Sequence, residues 1–96
     1  MKATHDHVRA QLQIQGRVQG VFFRASTVSQ AQGFGVTGWV MNAADGSVIA
    51  VAEGPRDAIE KLIKWCRQGP SGALVDKVDV EWQAPTNEFQ GFRIKR

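Results

Sequence analysis

The sequence predicts an α+β fold with two helices on one face of an antiparallel sheet, in the order β-α-β-β-α-β plus a short last strand. Three observations predict it: alternating or β-rich apolar segments, two stretches with helical spacing, and glycine- or proline-containing breaks between them. The chain has 96 residues. We therefore expect a single domain over residues 1–96, with a polar, flexible N-terminal segment at 1–7.

The first strand and the first helix are predicted in the N-terminal third. Apolar and polar residues alternate over residues 8–15, the pattern of a half-buried strand. The segment Gly16–Gly20 ends that strand, and Phe23–Gln32 follows as a helix with its apolar positions on one side. Gly33 is the predicted stop of this helix, because glycine commonly follows the last helical residue.

Two further strands are predicted in the middle of the chain. Val36–Asn42 is rich in residues that favour strands, and Asp45-Gly46 supplies a turn after it. Val48–Ala52 is the third strand. Because the neighbours of the third strand are apolar on both faces, we expect it to be central in the sheet.

A second helix and two strands complete the predicted order. Gly54-Pro55 opens the helix with Pro55 at the first helical position, and Gly69-Pro70 ends it. Alternation over 78–82 predicts the fourth strand, and Phe92 with Ile94 marks the short last one. This order is that of the ferredoxin-like split β-α-β sandwich. The apolar stripe of the second helix consists of Ile59, Leu62, Ile63 and Cys66.

Charge and composition limit the classes of partner. The formal net charge is +3 with an isoelectric point near 9.5, which favours anionic partners. The basic residues are scattered, so the sign of the charge does not separate a phosphate ester from nucleic acid. No apolar run could span a bilayer, and residues 1–7 lack the apolar stretch of a secretory signal. We expect a soluble, cytoplasmic protein with no membrane partner.

The sequence contains no clear metal-binding motif and no clear catalytic nucleophile. Cys66 is the single cysteine and lies in a helical apolar stripe, so we interpret it as a small buried hydrophobe. His5 and His7 have no third ligand in a matching motif. We therefore expect no metal site and no cofactor.

Topology brings three sequence features to one edge of the sheet. In a split β-α-β unit the first two strands are parallel, and their C-terminal ends meet beside the start of the first helix. The Gly16–Gly20 loop, Arg24 and Asn42 should therefore converge. The N–H groups of a helix start suit an anion, and a guanidinium can span two phosphate oxygens. The predicted phosphate-binding residues are Gln19, Gly20, Val21, Phe22, Phe23 and Arg24.

Each of these signals is weak when taken singly. Glycines before a helix are common, and an arginine in a first helical turn is usually solvated. Asn42 follows the segment Gly38–Met41 and is equally consistent with a turn residue and with an amide that accepts a hydrogen bond from water. An amide is no strong base, which limits the chemistry. An acyl phosphate fits that limit, because its carboxylate leaving group, with a conjugate-acid pKa of about 4, departs without a proton donor.

The two motifs resemble those of the acylphosphatase family. The segment 14–24 resembles the first signature of the family; 38–42, followed by Gly46-Ser47-Val48 and Gly54, resembles the second. The second helix and Gly91-Phe92 also match. The resemblance implies hydrolysis of small-molecule acyl phosphates without metal or covalent intermediate, with inorganic phosphate as product and inhibitor. It implies that Arg24 and the preceding loop hold the phosphate and that Asn42 orients the water. We expect no nucleic acid as partner and take a monomer as the default state.

Two alternatives are non-catalytic. The same fold carries RNA-binding modules, and the segment 32–36 faintly echoes their aromatic motif. That motif belongs on a central strand, whereas this segment follows the first helix, so Phe34 is better interpreted as core. A phosphate-binding regulatory domain is the other alternative, since acylphosphatase-like domains also form parts of larger enzymes such as hydrogenase maturation proteins.

Overall fold

The computed structural model describes residues 6–96, and within them a five-stranded sheet carries both helices on one face. The strand order across the sheet is β4-β1-β3-β2-β5. Neither helix of the described chain has the length and apolar character that a membrane crossing requires. The elements are β1 (His7–Arg17), α1 (Phe23–Phe34), β2 (Thr37–Asn42), β3 (Val48–Pro55), α2 (Arg56–Gln68), β4 (Leu74–Gln83) and β5 (Phe92–Ile94).

The predicted ferredoxin-like arrangement is confirmed, with one difference in strand direction. β1 and β2 each pair antiparallel with β3, so they are parallel to each other and β3 is central, as predicted. β5 pairs parallel with β2, so the sheet is mixed rather than wholly antiparallel. The reason is the path of residues 84–91, which carry the chain from the β4 edge to the opposite edge before β5 begins.

Alternation along the strands places the core between sheet and helices. On β1 Ala10, Leu12 and Ile14 face the helices and are fully buried, whereas the glutamines between them face the open side of the sheet. The apolar stripe of α2 packs onto this layer, as its spacing predicts. The largest fully buried apolar side chains of the core are Phe23, Leu12, Ile14, Ile59 and Leu62.

One predicted boundary of each helix needs correction. α1 continues through Gly33 to Phe34 and ends at Gly35, whose φ of 73° is left-handed. The Gly35 N–H donates to Gln32 O and the Val36 N–H donates to Ala31 O, the bond pair of a Schellman motif. At the other helix, Pro55 is the cap residue rather than the first helical residue, because its ψ of 142° is extended and it still pairs with His7 in the sheet.

β1 is longer than predicted at both ends. It begins at His7, inside the segment 1–7 that we expected to be flexible; residues 1–5 lie outside the described residues. At its other end the strand passes through Gly16, where the register against β4 shifts by a bulge. Gly16 has a φ of 134°, and a Cβ there would meet the Leu74 carbonyl oxygen. This glycine therefore permits close strand approach and is not part of a loop.

The segment 84–91, which we call the strap, is anchored by one buried carboxylate. Glu53 of β3 is 1% exposed. Its Oε2 accepts from the Thr86 N–H at 2.9 Å and from Arg9 Nη1 at 3.2 Å, and its Oε1 accepts from the Asn87 N–H at 2.9 Å. Burial alone would raise the pKa of Glu53, but these hydrogen bonds hold it below its ordinary value.

Candidate active site

A cavity of about 250 Å³ opens where β1 and β2 end and α1 begins. Arg24 and Asn42 both line it, although they are far apart in sequence. Asn42 is the last residue of β2 and Arg24 the second of α1, so the parallel directions of β1 and β2 bring them together. The whole lining is Val18, Gly20, Phe22, Phe23, Arg24, Ala25, Asn42 and Ile94.

The start of α1 presents backbone N–H groups to this cavity. The first hydrogen bond of the helix runs from the Ser26 N–H to Phe22 O at 3.0 Å. None of the described turn, loop and cap hydrogen bonds takes an N–H of residues 19–25, which is expected before the first helical turn closes. Free N–H groups and the positive end of the helix dipole favour an anion here.

Two consecutive phenylalanines set the geometry of this helix start. Phe23 is 1% exposed and packs against the Trp65 ring with 5.5 Å between centroids. A Cβ at Gly69 would lie 2.8 Å from the Phe23 ring, so Gly69 leaves room for it. Phe22 instead has a left-handed backbone with φ 62° and ψ 24°, and its side chain is 82% exposed. The left-handed turn at Phe22 directs the next residue into the core and the one after it toward the cavity.

The Gln19 side chain ties the loop to the hairpin that carries Asn42. Its Nε2 donates to Ala43 O at 2.8 Å and to Ser47 O at 2.9 Å. The hairpin is itself fixed by Asp45, which accepts from the Ser47 hydroxyl at 2.6 Å and from the Ser47 N–H at 2.9 Å. These hydrogen bonds to Ser47 lower the pKa of Asp45. The position of the loop relative to Asn42 is thus set by polar contacts across the sheet edge.

Two polar groups of the cavity have no partner among the residues that the structure describes. Asn42 Oδ1 is buried and accepts no hydrogen bond from the described chain, and Arg24 takes part in none of the ion pairs among residues 6–96. Buried polar atoms are normally paired, and an unpaired one needs an explanation. A guanidinium, an unpaired carboxamide oxygen and a helix start together form a site that can bind an anion with water beside it.

The structure brings together four of the six predicted phosphate-binding residues with Asn42. Gly20, Phe22, Phe23 and Arg24 line the cavity. Gln19 turns its side chain to the hairpin, and Val21 packs partly buried against the core; neither is a lining residue. Three lining residues were not predicted: Val18, Ala25 and Ile94.

Ile94 could not be assigned to the site from the sequence because β5 has only three residues. Its place depends on the parallel pairing with β2, which puts Ile94 opposite Val40. The alternation of Phe92 and Ile94 was the available signal, and it predicted a strand but no neighbour.

Comparison with known proteins identifies the family. The family model for acylphosphatase matches residues 10–94. The chain is 54% identical over 86 residues to an acylphosphatase of Pelotomaculum thermopropionicum, covering 90% of this chain and 94% of that one. The chain belongs to the acylphosphatase family. The predicted family, fold and enzyme class are thereby confirmed.

Solved structures of acylphosphatases share this architecture. The structure of an acylphosphatase from Coxiella burnetii superposes with a TM-score of 0.87 at 37% identity, covering 93% of each chain. Full-length HypF, described in a phosphate- and nucleotide-bound form, matches with a TM-score of 0.87 at 28% identity. That match covers all of this chain but 13% of HypF, so the acylphosphatase fold also occurs as a small part of a much larger protein.

Other reactive side chains lie outside the cavity. Cys66 is fully buried in α2, and burial raises the pKa of its thiol to about 12, as expected for an inert hydrophobe. Residues 6–96 contain no group of three or more His, Cys, Asp or Glu side chains placed to hold a metal ion. His7 is an exposed residue of β1, whereas His5 lies outside the described residues.

A larger cavity of about 470 Å³ lies on the open face of the sheet, against the strap. Trp39, Phe89, Arg93 and Lys95 line it, and Lys95 Nζ already sits 4.5 Å from the centroid of the Trp39 ring. It contains no open helix start, and although Gly38 and Trp39 of the second signature line it, Arg24 and Asn42 do not. The smaller cavity is therefore the candidate active site, because Arg24, Asn42 and the start of α1 line it and do not line the larger one.

Proposed function

We propose that this chain hydrolyses the carboxyl–phosphate bond of acyl phosphates, giving a carboxylate and inorganic phosphate. One observation carries the proposal: Arg24 and the unpartnered carboxamide oxygen of Asn42 share one cavity at the start of α1. The similarity to acylphosphatases of other organisms supports the same reaction.

The phosphate is bound by Arg24 and by the backbone N–H groups before the first turn of α1. The planar guanidinium bonds two phosphate oxygens at once, and the helix start adds a fixed positive potential. Both favour the charge spread over the phosphoryl oxygens in a loose transition state. The residues assigned to this cradle are Gln19, Gly20, Val21, Phe22, Phe23 and Arg24.

Asn42 positions the attacking water. Its Oδ1 accepts a hydrogen bond from the water, and its amide group donates to the substrate. The water oxygen bonds to phosphorus as the bond from phosphorus to the acyl oxygen breaks. The carboxylate leaves with the bonding electron pair, and a proton of the water passes to a phosphate oxygen. Because a carboxylate is a weak base, no protein acid is required, and positioning supplies much of the rate.

The broader assignments belong to the same proposal. The substrate is a small acyl phosphate, and inorganic phosphate inhibits as the product. The protein acts as a cytoplasmic monomer and requires no metal, membrane or nucleic acid.

The decisive experiment compares two substrates with chelator present. Purified protein in EDTA should hydrolyse benzoyl phosphate and leave p-nitrophenyl phosphate almost untouched, because a phosphate ester has a far more basic leaving group. Equal hydrolysis of both, or an activity that EDTA abolishes and magnesium restores, would contradict the proposal. Salt-dependent RNA binding without hydrolysis would favour the non-catalytic alternative.

A further inference from the structure

Phe22 is in a conformation that its own side chain does not favour. Its φ of 62° is left-handed, a region in which bulky residues are genuine outliers and glycine or asparagine is comfortable. The ring is 82% exposed, so burial in the core does not offset the strain. Phe22 also lines the candidate active site.

The fold explains the backbone at Phe22 but not the ring. The left-handed turn lets Phe23 enter the core and starts α1 with its N–H groups free. Glycine would make the same turn with less strain. A strained residue whose side chain contributes no packing suggests that the side chain contacts something outside the chain.

We propose that the Phe22 ring is one wall of a subsite for the acyl group, which gives this chain a preference for acyl phosphates with flat aromatic groups. This inference rests on the proposed function, since it places the phosphate at Arg24. With the phosphate held there, the acyl group extends from the helix start along the apolar part of the lining. Ile94 of β5 and Ala25 of α1 are apolar residues of the same lining as Phe22.

The size and chemistry of the cavity fit such a substrate. At about 250 Å³ it is smaller than a typical pocket for a drug-sized ligand. Its polar side chains are Arg24 and Asn42, and both are assigned to the phosphate and the water. The remaining side chains offer no hydrogen bond to an acyl group. A flat apolar group that stacks on an exposed ring therefore suits the unassigned part.

The test measures the ratio of kcat/KM for two substrates, because this ratio distinguishes loss of the Phe22 ring from damage to the backbone around it. Benzoyl phosphate and acetyl phosphate present the same phosphate to the cradle, so damage to the cradle affects both. In Phe22→Asn the left-handed turn is kept and the ring is lost. The ratio of kcat/KM for benzoyl over acetyl phosphate should fall roughly three- to tenfold, the size expected for loss of one aromatic contact. In Phe22→Tyr, which keeps a ring, the ratio should remain within about twofold of the original.

An unchanged ratio in Phe22→Asn would overturn the inference. A binding measurement keeps its failure distinct from that of the proposed function. Calorimetry would compare two phosphonates in which a methylene replaces the bridging oxygen of benzoyl and acetyl phosphate. The unaltered protein should bind the aromatic one more tightly, and Phe22→Asn should reduce that preference by the same factor. A preference that persists in Phe22→Asn refutes the inference, whether or not the protein turns over substrate.

Discussion

The two ends of the central strands treat their buried acceptor oxygens in opposite ways, although Arg9 Nε, beside Glu53, is a buried donor without a partner among the described residues. At the end where Thr37 pairs with Glu53, both carboxylate oxygens of Glu53 accept hydrogen bonds. At the other end, where Asn42 pairs with Val48, the Asn42 Oδ1 is buried without a partner. About 17 Å of strand separates the two rows, at roughly 3.3 Å per residue.

The difference identifies which end stabilises the fold and which is available for a ligand. A buried charge is tolerated only when it is paired and hydrogen-bonded, and Glu53 meets that condition by fastening the strap. The unpaired Asn42 amide oxygen and the Arg24 guanidinium contribute little to stability and belong to residues that line the cavity proposed for the substrate. Mutations at the Glu53 end should therefore reduce mainly stability, and mutations at the Asn42 end mainly activity. This separation is expected because active-site residues are not optimised for stability.

Removal of Arg24 should have the largest effect, and it should fall on activity alone. Arg24→Ala should lower kcat/KM for benzoyl phosphate roughly 10³-fold or more, by comparison with other arginines that stabilise transferring phosphoryl groups. The free energy of unfolding should change by less than about 0.5 kcal/mol, because Arg24 has no ion pair in the described chain. Steady-state kinetics and urea unfolding measure the two quantities.

Two variants sharpen this test of Arg24. Arg24→Lys should also fail, because an ammonium cannot bond two phosphate oxygens in one plane. Arg67→Ala is the matched control, since Arg67 is an exposed arginine in the last turn of α2, away from the cavity. Arg24→Ala with unaltered kinetics would remove this residue from the mechanism.

Removal of the Glu53 carboxylate should have the next largest effect, and it should fall on stability. Glu53→Ala leaves Arg9 without its ion pair and two strap N–H groups without acceptors. Breaking a buried pair in this way costs about 3 kcal/mol. Thermal denaturation should show Tm lower by roughly 10 to 20 °C, while the folded variant at low temperature keeps its kcat. A kcat that falls with no change in Tm would invert the comparison between the two ends.

Asn42→Ala should have a smaller effect on activity than Arg24→Ala. We expect kcat to fall roughly 10²-fold, as for the loss of another preorganised polar group. Inhibition by inorganic phosphate should change far less than kcat, because the main contacts to the phosphate are those of Arg24 and the N–H groups at the start of α1. Stability should be equal or slightly higher, since a buried unpaired atom is removed. Collapse of phosphate affinity with kcat preserved would contradict the assigned role.

The sequence was enough to predict the arrangement at the Asn42 end of the strands, but not the arrangement at the Glu53 end. Arg24 and Asn42 could be paired from the sequence because the split β-α-β connection forces the ends of two parallel strands together. Glu53 could not be assigned a partner, because Thr86 is 33 residues away and lies on an irregular segment. No periodicity specifies where such a segment passes over a sheet.

The backbone conformations of Gly16 and Phe22 also could not be predicted from the sequence. Gly16 was predicted as a loop residue, but it lies in β1 where the register against β4 shifts, and a Cβ there would meet the Leu74 carbonyl oxygen. Phe22 is left-handed although phenylalanine disfavours that region, so its propensity pointed the wrong way. In both cases a tertiary contact or a site decides the local conformation.

The smallest predicted effect is a pH dependence of stability that belongs to Glu53. Its pKa in the folded protein lies below the ordinary value, so the folded state favours the charged carboxylate more than the unfolded chain does. The resulting stability is present above about pH 4.3, the ordinary glutamic acid pKa, and is lost as pH falls through the lower folded value. Urea unfolding between pH 7 and pH 3 should show this loss, and Glu53→Gln should reduce it. Asp45, whose pKa is also lowered, remains in both proteins, so the difference between the two curves reports Glu53. Parallel curves would mean that the strap is held by hydrogen bonds alone and that the charge of Glu53 contributes nothing.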